Sequence, residues 1–287
     1  TSSGIEFELG ASLVNNVDFT WNMNANLSTV NTEITDLGGL DELPQQIFGQ
    51  SGRGAVFRNY VGGEIGEMWG LETIGEVEME YLADGTRHPN SMTGESYVVD
   101  QNDDGVIDRT KTVEDGGDLV KIGQNTPDFY WGMTHNLSYD NFDMSLQFQG
   151  SHGADVYNID PLYYGSQWGG RLDNARIDSD GDRIADHNGQ HLERNRNQTD
   201  AVLQDASFIA LRNLTIGYTF DSSLIDSLGL NSVRAYLAGT NLLYIMGDDY
   251  TSYNPEGVKG TDPTIYGAQV GASPVVRSFT LGLNVNF

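Results

Sequence analysis

A chain of 287 residues with 38% hydrophobic side chains can hold one large or two ordinary domains, but it is lean for a single large apolar core. Its formal net charge of -26, from 41 acidic and 15 basic side chains, excludes a nucleic-acid partner, whose phosphates call for clustered Lys and Arg. No apolar run approaches the roughly 18 residues of a spanning helix, and the absence of cysteine removes disulfides and thiolate metal sites. A solvated acidic surface, a salt-rich habitat and cation-binding loops all fit such a charge balance.

Strand-like alternation begins almost at once. Ile5, Phe7, Leu9, Ala11 and Leu13 alternate with Glu6, Glu8, Gly10 and Ser12, and after Asn15 and Asn16 a second run sets Phe19, Trp21, Met23, Ala25 and Leu27 against Thr20, Asn22, Asn24, Asn26 and Ser28. These runs predict a hairpin. Shorter strand candidates lie at 55–61 and 65–74, with a turn at Gly62-Gly63. A second tight hairpin is predicted where Phe129, Trp131, Met133 and Leu137 share a face and Asp140-Asn141 leads into Phe142, Met144, Leu146 and Phe148. A third joins Leu214, Ile216, Tyr218 and Phe220 to Val233, Ala235 and Leu237, and Phe279, Leu281, Leu283, Val285 and Phe287 alternate to the last residue. The total is about nine strands.

Alternation alone fits a soluble sandwich equally well, so the connections decide. Short links near Asn15, Gly62, Asp140 and between Phe220 and Ser232 interleave with long polar segments at 31–54, 76–128, 151–207 and 247–274. Short turns at one rim and long loops at the other predict an all-β fold, an antiparallel transmembrane β-barrel of the outer-membrane type. In that geometry the apolar face meets lipid and the Asn, Thr, Ser and Gln face lines a wet lumen. Trp21, Trp131, Tyr139, Phe142, Tyr218 and Phe220, near strand ends, are placed to form interfacial girdles. An odd strand count and a start at Thr1 without a signal peptide point to a piece of a longer precursor.

Several stretches carry a family resemblance. They are Gly4-Ile5-Glu6; the acidic run from Asp100 through Asn102, Asp104 and Gly105 to Asp108; Ile122-Gly123-Gln124-Asn125-Thr126-Pro127-Asp128-Phe129; Phe208-Ile209-Ala210-Leu211-Arg212-Asn213-Leu214-Thr215-Ile216-Gly217-Tyr218; Ala238-Gly239-Thr240-Asn241-Leu242; and the final strand from Ser278 to Phe287. In this order and spacing they resemble the SusC/RagA family of TonB-dependent outer-membrane transporters over nearly the whole chain. Asn254-Pro255-Glu256 departs from the family's commoner Asp-Pro-Glu, and Lys111 stands where an acidic residue is commoner. The resemblance implies that residues 1–287 are the carboxyl-terminal portion of one barrel of about 22 strands, without its plug domain and TonB-interacting segment. It implies import of a glycan or oligopeptide across the outer membrane of a Gram-negative bacterium, no enzymatic activity, and a SusD-like surface lipoprotein as partner. It also implies energy from the TonB complex through the absent amino-terminal region, and Phe287 as part of the signal read by the outer-membrane insertion machinery.

Asp100, Asn102, Asp104 and Asp108, with Gly105 at the sixth position, copy the early spacing of an EF-hand calcium loop, but Lys111 replaces its twelfth-position Glu. A calcium site and a solvated acidic turn are equally compatible with that pattern. Asp178, Asp180, Asp182 and Asp186 repeat the spacing, with Arg183 where the turn prefers Gly. Calcium is therefore an optional loop ligand rather than a required cofactor. Tyr163, Tyr164 and Trp168 concentrate aromatic faces in one long loop, where they can stack on a sugar or peptide or simply fill the loop. His88, His135, His152, His187 and His191 are scattered, and no phosphate loop, HExxH motif or nucleophile elbow is present. A passive porin and a secreted calcium-binding β-sandwich adhesin are the rival readings.

Overall fold

The computed structural model describes residues 1–43, 46–47, 56–73, 98–160, 198–257 and 267–287. Seven long strands form one antiparallel sheet: β1 (Glu6–Asn15), β2 (Phe19–Ser28), β3 (Phe129–Tyr139), β4 (Phe142–His152), β5 (Phe208–Thr219), β6 (Ser232–Met246) and β7 (Ser278–Asn286). Their hydrogen-bonded order is β7-β6-β5-β4-β3-β2-β1, so each long strand pairs with the one before and after it in the chain. The result is an open up-and-down meander with β1 and β7 at its edges; closure of a barrel is not seen among the described residues.

Register follows from the turns. Tyr139 pairs with Phe142 across the two-residue turn Asp140-Asn141, where Asp140 takes a φ of 51°, a left-handed conformation that Asp tolerates better than most residues. With register fixed, the period of two puts whole rows of side chains on one face. Trp21, Leu137, Met144, Ile216, Leu237 and Leu281 form one such row across six strands, and the next row is Asn22, Asn136, Ser145, Thr215, Ala238 and Thr280. The apolar face is not covered by protein: Phe279 is 71% exposed and Leu281 83%.

The buried cores lie instead in the long connections. Phe57, Met68, Tyr157, Ile159, Val202 and Ala268 form one cluster, with Ile122, Leu203 and Val270 against it, and Ala154, Val156, Ala206 and Tyr250 form a second. Two small sheets frame them. One runs through Gln46–Ile47, Val56–Phe57, Glu67–Gly70 and Val120–Gln124; the other joins Leu203–Asp205, Asp155–Asn158 and Ala268–Gln269.

This arrangement changes two expected strands. The candidates at 55–61 and 65–74 do pair, Val56 with Trp69 and Phe57 with Met68, but over a short ladder outside the seven-stranded sheet. Glu67, Met68 and Gly70 are buried, so this strand is enclosed on both faces as part of the loop layer. The main sheet thus has seven strands among the described residues. The third hairpin is longer than its sequence signal, because β5 and β6 continue past a bulge between Leu211 and Asn213.

Burial in the loop layer reaches ionisable groups. Burial raises the carboxyl pKa of Asp155 above its ordinary 3.8, opposed by the Gln124 N–H that it accepts at 3.0 Å and reinforced by Asp205, Asp249 and Asp128. The folded state therefore holds this proton more tightly than the unfolded chain, and stability is lost as pH rises through the raised value. Asp155→Asn, which keeps the acceptor and removes the charge, should raise the thermal midpoint of the loop layer at pH 8. That gain should vanish below pH 3.8, where aspartate is protonated in both states.

Candidate functional site

Between its charged ends the polar face of the sheet is a lattice of amides and hydroxyls. In one row Glu8 pairs with Asn26, Asn26 with Gly132 and Gly132 with Gln149; in the next towards the short turns, Gly10, Asn24, Thr134, Gln147 and Asn213 follow one another across β1 to β5. Asn213 Nδ2 donates to Gln147 Oε1 at 2.7 Å, Ser145 Oγ to Asn136 Oδ1 at 2.9 Å, and Thr20 and Ser138 share a 2.6 Å bond. Glu8, Asn24, Asn26, Gly132, Thr134 and Gln149 line a cavity of about 330 Å³, and Gln149 also borders a second of about 280 Å³ reaching Asn125, Phe208 and Glu256.

Arg212 sits where the β5–β6 ladder slips, and the slip turns it onto the polar face. Its Nε donates to Gln149 Oε1 at 3.0 Å, one terminal nitrogen to Glu256 Oε1 at 2.6 Å and the other to the Tyr244 hydroxyl, which in turn donates to Glu256 Oε2 at 2.9 Å. The same guanidinium lies 5.1 Å from the Tyr244 ring and 5.5 Å from that of Phe208. Fully buried Gln269 holds the segment that carries Glu256: its Nε2 donates to Asn254 O at 2.7 Å and to Gly257 O at 3.2 Å. The segment that carries Glu256 is thereby fixed to the wall. At the short-turn end, Arg234 Nε donates to Asp143 Oδ1 at 2.8 Å across Gly217, where a Cβ would collide with both side chains.

The first acidic cluster is a closed turn. Asp100 accepts the N–H groups of Asp104 (3.3 Å) and Gly105 (2.7 Å), Asn102 Oδ1 accepts Asp104 N, and Asp104 Oδ1 accepts Val106 N at 2.8 Å. Asp108 Oδ1 turns away to the Thr110 N–H and hydroxyl, which hold its pKa below the ordinary value. Among the described residues, no group of three or more His, Asp or Glu side chains is placed to hold a metal ion. The organising carboxylate is Asp118, fully buried, which accepts Gln101 N and Asp108 N at 2.7 Å each. Asp178, Asp180, Asp182, Asp186, Tyr163, Tyr164 and Trp168 lie outside the described residues. His135 stands on the apolar face, where its Nδ1 accepts the Trp21 indole N–H at 3.1 Å.

Comparison with known proteins agrees with this geometry. No model of a known protein family matches the chain. Over its whole length it is 30% identical to TonB-dependent receptors P3 and P26 of Formosa agariphila. To the TonB-dependent receptor SusC of Bacteroides thetaiotaomicron it is 24% identical over 99% of its length. The chain is similar over its whole length to part of these TonB-dependent receptors, SusC among them. It spans about 28%, 29% and 26% of the length of these three relatives. Among solved structures it matches the RagAB peptide transporter with a TM-score of 0.68 at 18% identity, and the same importer in its open-open state at 0.61 and 17%. These matches cover all of the chain and 29% and 28% of the matched chains, and at such identity they show the fold alone.

Within this receptor fold, the Asn254-Pro255-Glu256 segment keeps its Glu in contact with the wall, whereas Asn254 acts by accepting Glu256 N at 3.0 Å. Sequence reading missed Arg212, Tyr244 and Glu256 as a unit. Replacing Arg212 with Met should free the Glu256 loop, seen as faster amide exchange across 254–257. Adding Glu256→Gln to that variant should cost little more, leaving a coupling of about 0.5–3 kcal/mol in a double-mutant cycle.

Proposed function

We propose that the chain is wall and outer-loop structure of an outer-membrane importer driven through TonB, taking up a glycan or oligopeptide together with a SusD-like surface lipoprotein. One observation carries the reading: a seven-stranded meander exposes a continuous apolar face while the buried clusters around Tyr157 and Val156 sit in the long connections. Water does not tolerate such a face, and hydrocarbon does. The polar lattice then lines the passage, and the short turns at Asn16 and Asp140 lie at the rim opposite the loop layer.

Phe287, 89% exposed just beyond β7, belongs to the surface that the insertion machinery reads, so Phe287→Ala should lower the amount of folded, heat-modifiable protein several-fold. In lipid, Leu146→Arg should cost about 2–4 kcal/mol of barrel stability, whereas Gln147→Arg on the opposite face should cost far less. Uptake by the full-length protein tests the larger claim. It should stop when TonB is deleted; uptake that continues would make the protein a passive pore. For the Asp100–Asp108 turn we assign a structural role. A calcium titration that evolves heat, lost in Asp104→Ala, would instead establish a cation site there.

A further inference from the structure

One row of the apolar face lacks a side chain. Across β3 to β6 it reads Trp131, Gly150, Ile209 and Ile245, and the Trp131 indole lies over the glycine, where a Cβ would come within 2.5 Å of its nitrogen. Nearer the loops, Phe129 and His152 stack with ring centroids 5.4 Å apart. Between these three rings and the two isoleucines is a cavity of about 330 Å³, with Ser207 and Gly247 at its loop end. Ile209 and Ile245 are 41% and 54% exposed, so it opens on whatever surrounds the apolar face.

Its depth in a bilayer follows from β4. Phe142 stands at the short-turn end against Tyr218, and the strand runs from there to His152. At about 3.4 Å per residue and a tilt of about 40°, the two ends differ in height by about 26 Å, close to the roughly 25 Å of an outer-membrane apolar band. His152 therefore lies at the outer boundary of the hydrocarbon. There a lipid changes from acyl chain to ester and phosphate oxygens, all of them acceptors. The Trp131 indole N–H and the His152 imidazole have no hydrogen-bond partner among the described residues. No acidic side chain lines the cavity, although the chain carries 41 Asp and Glu.

We propose that this cavity is a lipid site, seating one acyl chain of an outer-leaflet lipid against Ile209 and Ile245 with the lipid's phosphate at Trp131 and His152. The inference rests on the membrane reading of the sheet and adds a ligand on the face opposite the polar lattice, out of reach of any cargo. The loop end of the cavity is a junction: Ser207 Oγ accepts Gly153 N at 2.9 Å, and Ser207 O accepts Gly247 N at 3.1 Å. A chain seated there braces the point at which two connections leave the wall.

The test uses the full-length protein in mild detergent, stripped of native lipid and then given dipalmitoyl phosphatidylglycerol or dipalmitoyl phosphatidylcholine, with retained lipid counted by native mass spectrometry. Wild type should retain the anionic phosphatidylglycerol in preference. Ile245→Trp, which fills the cavity, should lower that retention about tenfold, whereas Leu281→Trp on the same face of β7 should leave it unchanged. Trp131→Phe and His152→Phe, which keep the rings and remove the donors, should each lower it about threefold or more. Unchanged heat-modifiable migration shows that each barrel is intact. No lipid retained by wild type, equal retention of the two headgroups, equal loss in Ile245→Trp and Leu281→Trp, or unchanged retention in both Phe variants overturns the proposal. A protein that needs detergent yet gives one of these results keeps the membrane reading and loses only the lipid site; one that is soluble without detergent loses both.

Discussion

Everything in this molecule depends on a sheet whose backbone is paired strand to strand while one entire face of side chains remains apolar and uncovered. A period of two makes that arrangement all-or-none: a slip of one residue would carry Trp21, Leu137, Met144 and Ile216 to the polar side together. Hydrocarbon on one side and water on the other oppose such a slip at every row, so register is held by solvent as well as by the turns. The buried clusters around Tyr157 and Val156 serve the connections, which must fold as a water-exposed layer above the sheet.

That division of labour explains what sequence could and could not show. The long strands were readable because each alternates for about the 9 to 11 residues of a membrane-crossing strand. The stretches 55–61 and 65–74 gave a weaker form of the same signal, but Glu67, Met68 and Gly70 are all buried, and a short ladder inside a loop core resembles a wall strand until its partners are known. The Arg212 cluster was hidden for another reason. Leu211 and Leu214 both face outward although they are three positions apart, a phase break that marks the bulge, yet Glu256 lies 44 residues from Arg212 and nothing in its surroundings announces the partner. The Asp100 motif was legible as a turn; its spacing did not reveal that Asp118 closes it.

Electrostatics follow the same logic. A chain of net charge -26 keeps ion pairs on its polar face few and local, Arg234 with Asp143 near the short turns and Arg212 with Glu256 near the loops. Between them the wall of β2 to β4 is built from amides and hydroxyls, which bind through hydrogen bonds without holding a solute by charge. Such a surface suits a passage, where cargo must be recognised and then released. Arg212 links the regions, orienting Gln149 on the wall while holding Glu256 of the loop.

The central claim, two faces in two solvents, is tested most directly by single cysteines, for which the native chain offers no background. Cysteines placed in turn at Met133, Thr134, Leu146 and Gln147 of the full-length protein in membranes would be probed with a water-soluble maleimide and with a lipid-phase spin label. The account expects alternation: Thr134 and Gln147 labelled from water, Met133 and Leu146 reporting hydrocarbon. Equal labelling of all four from water would contradict it.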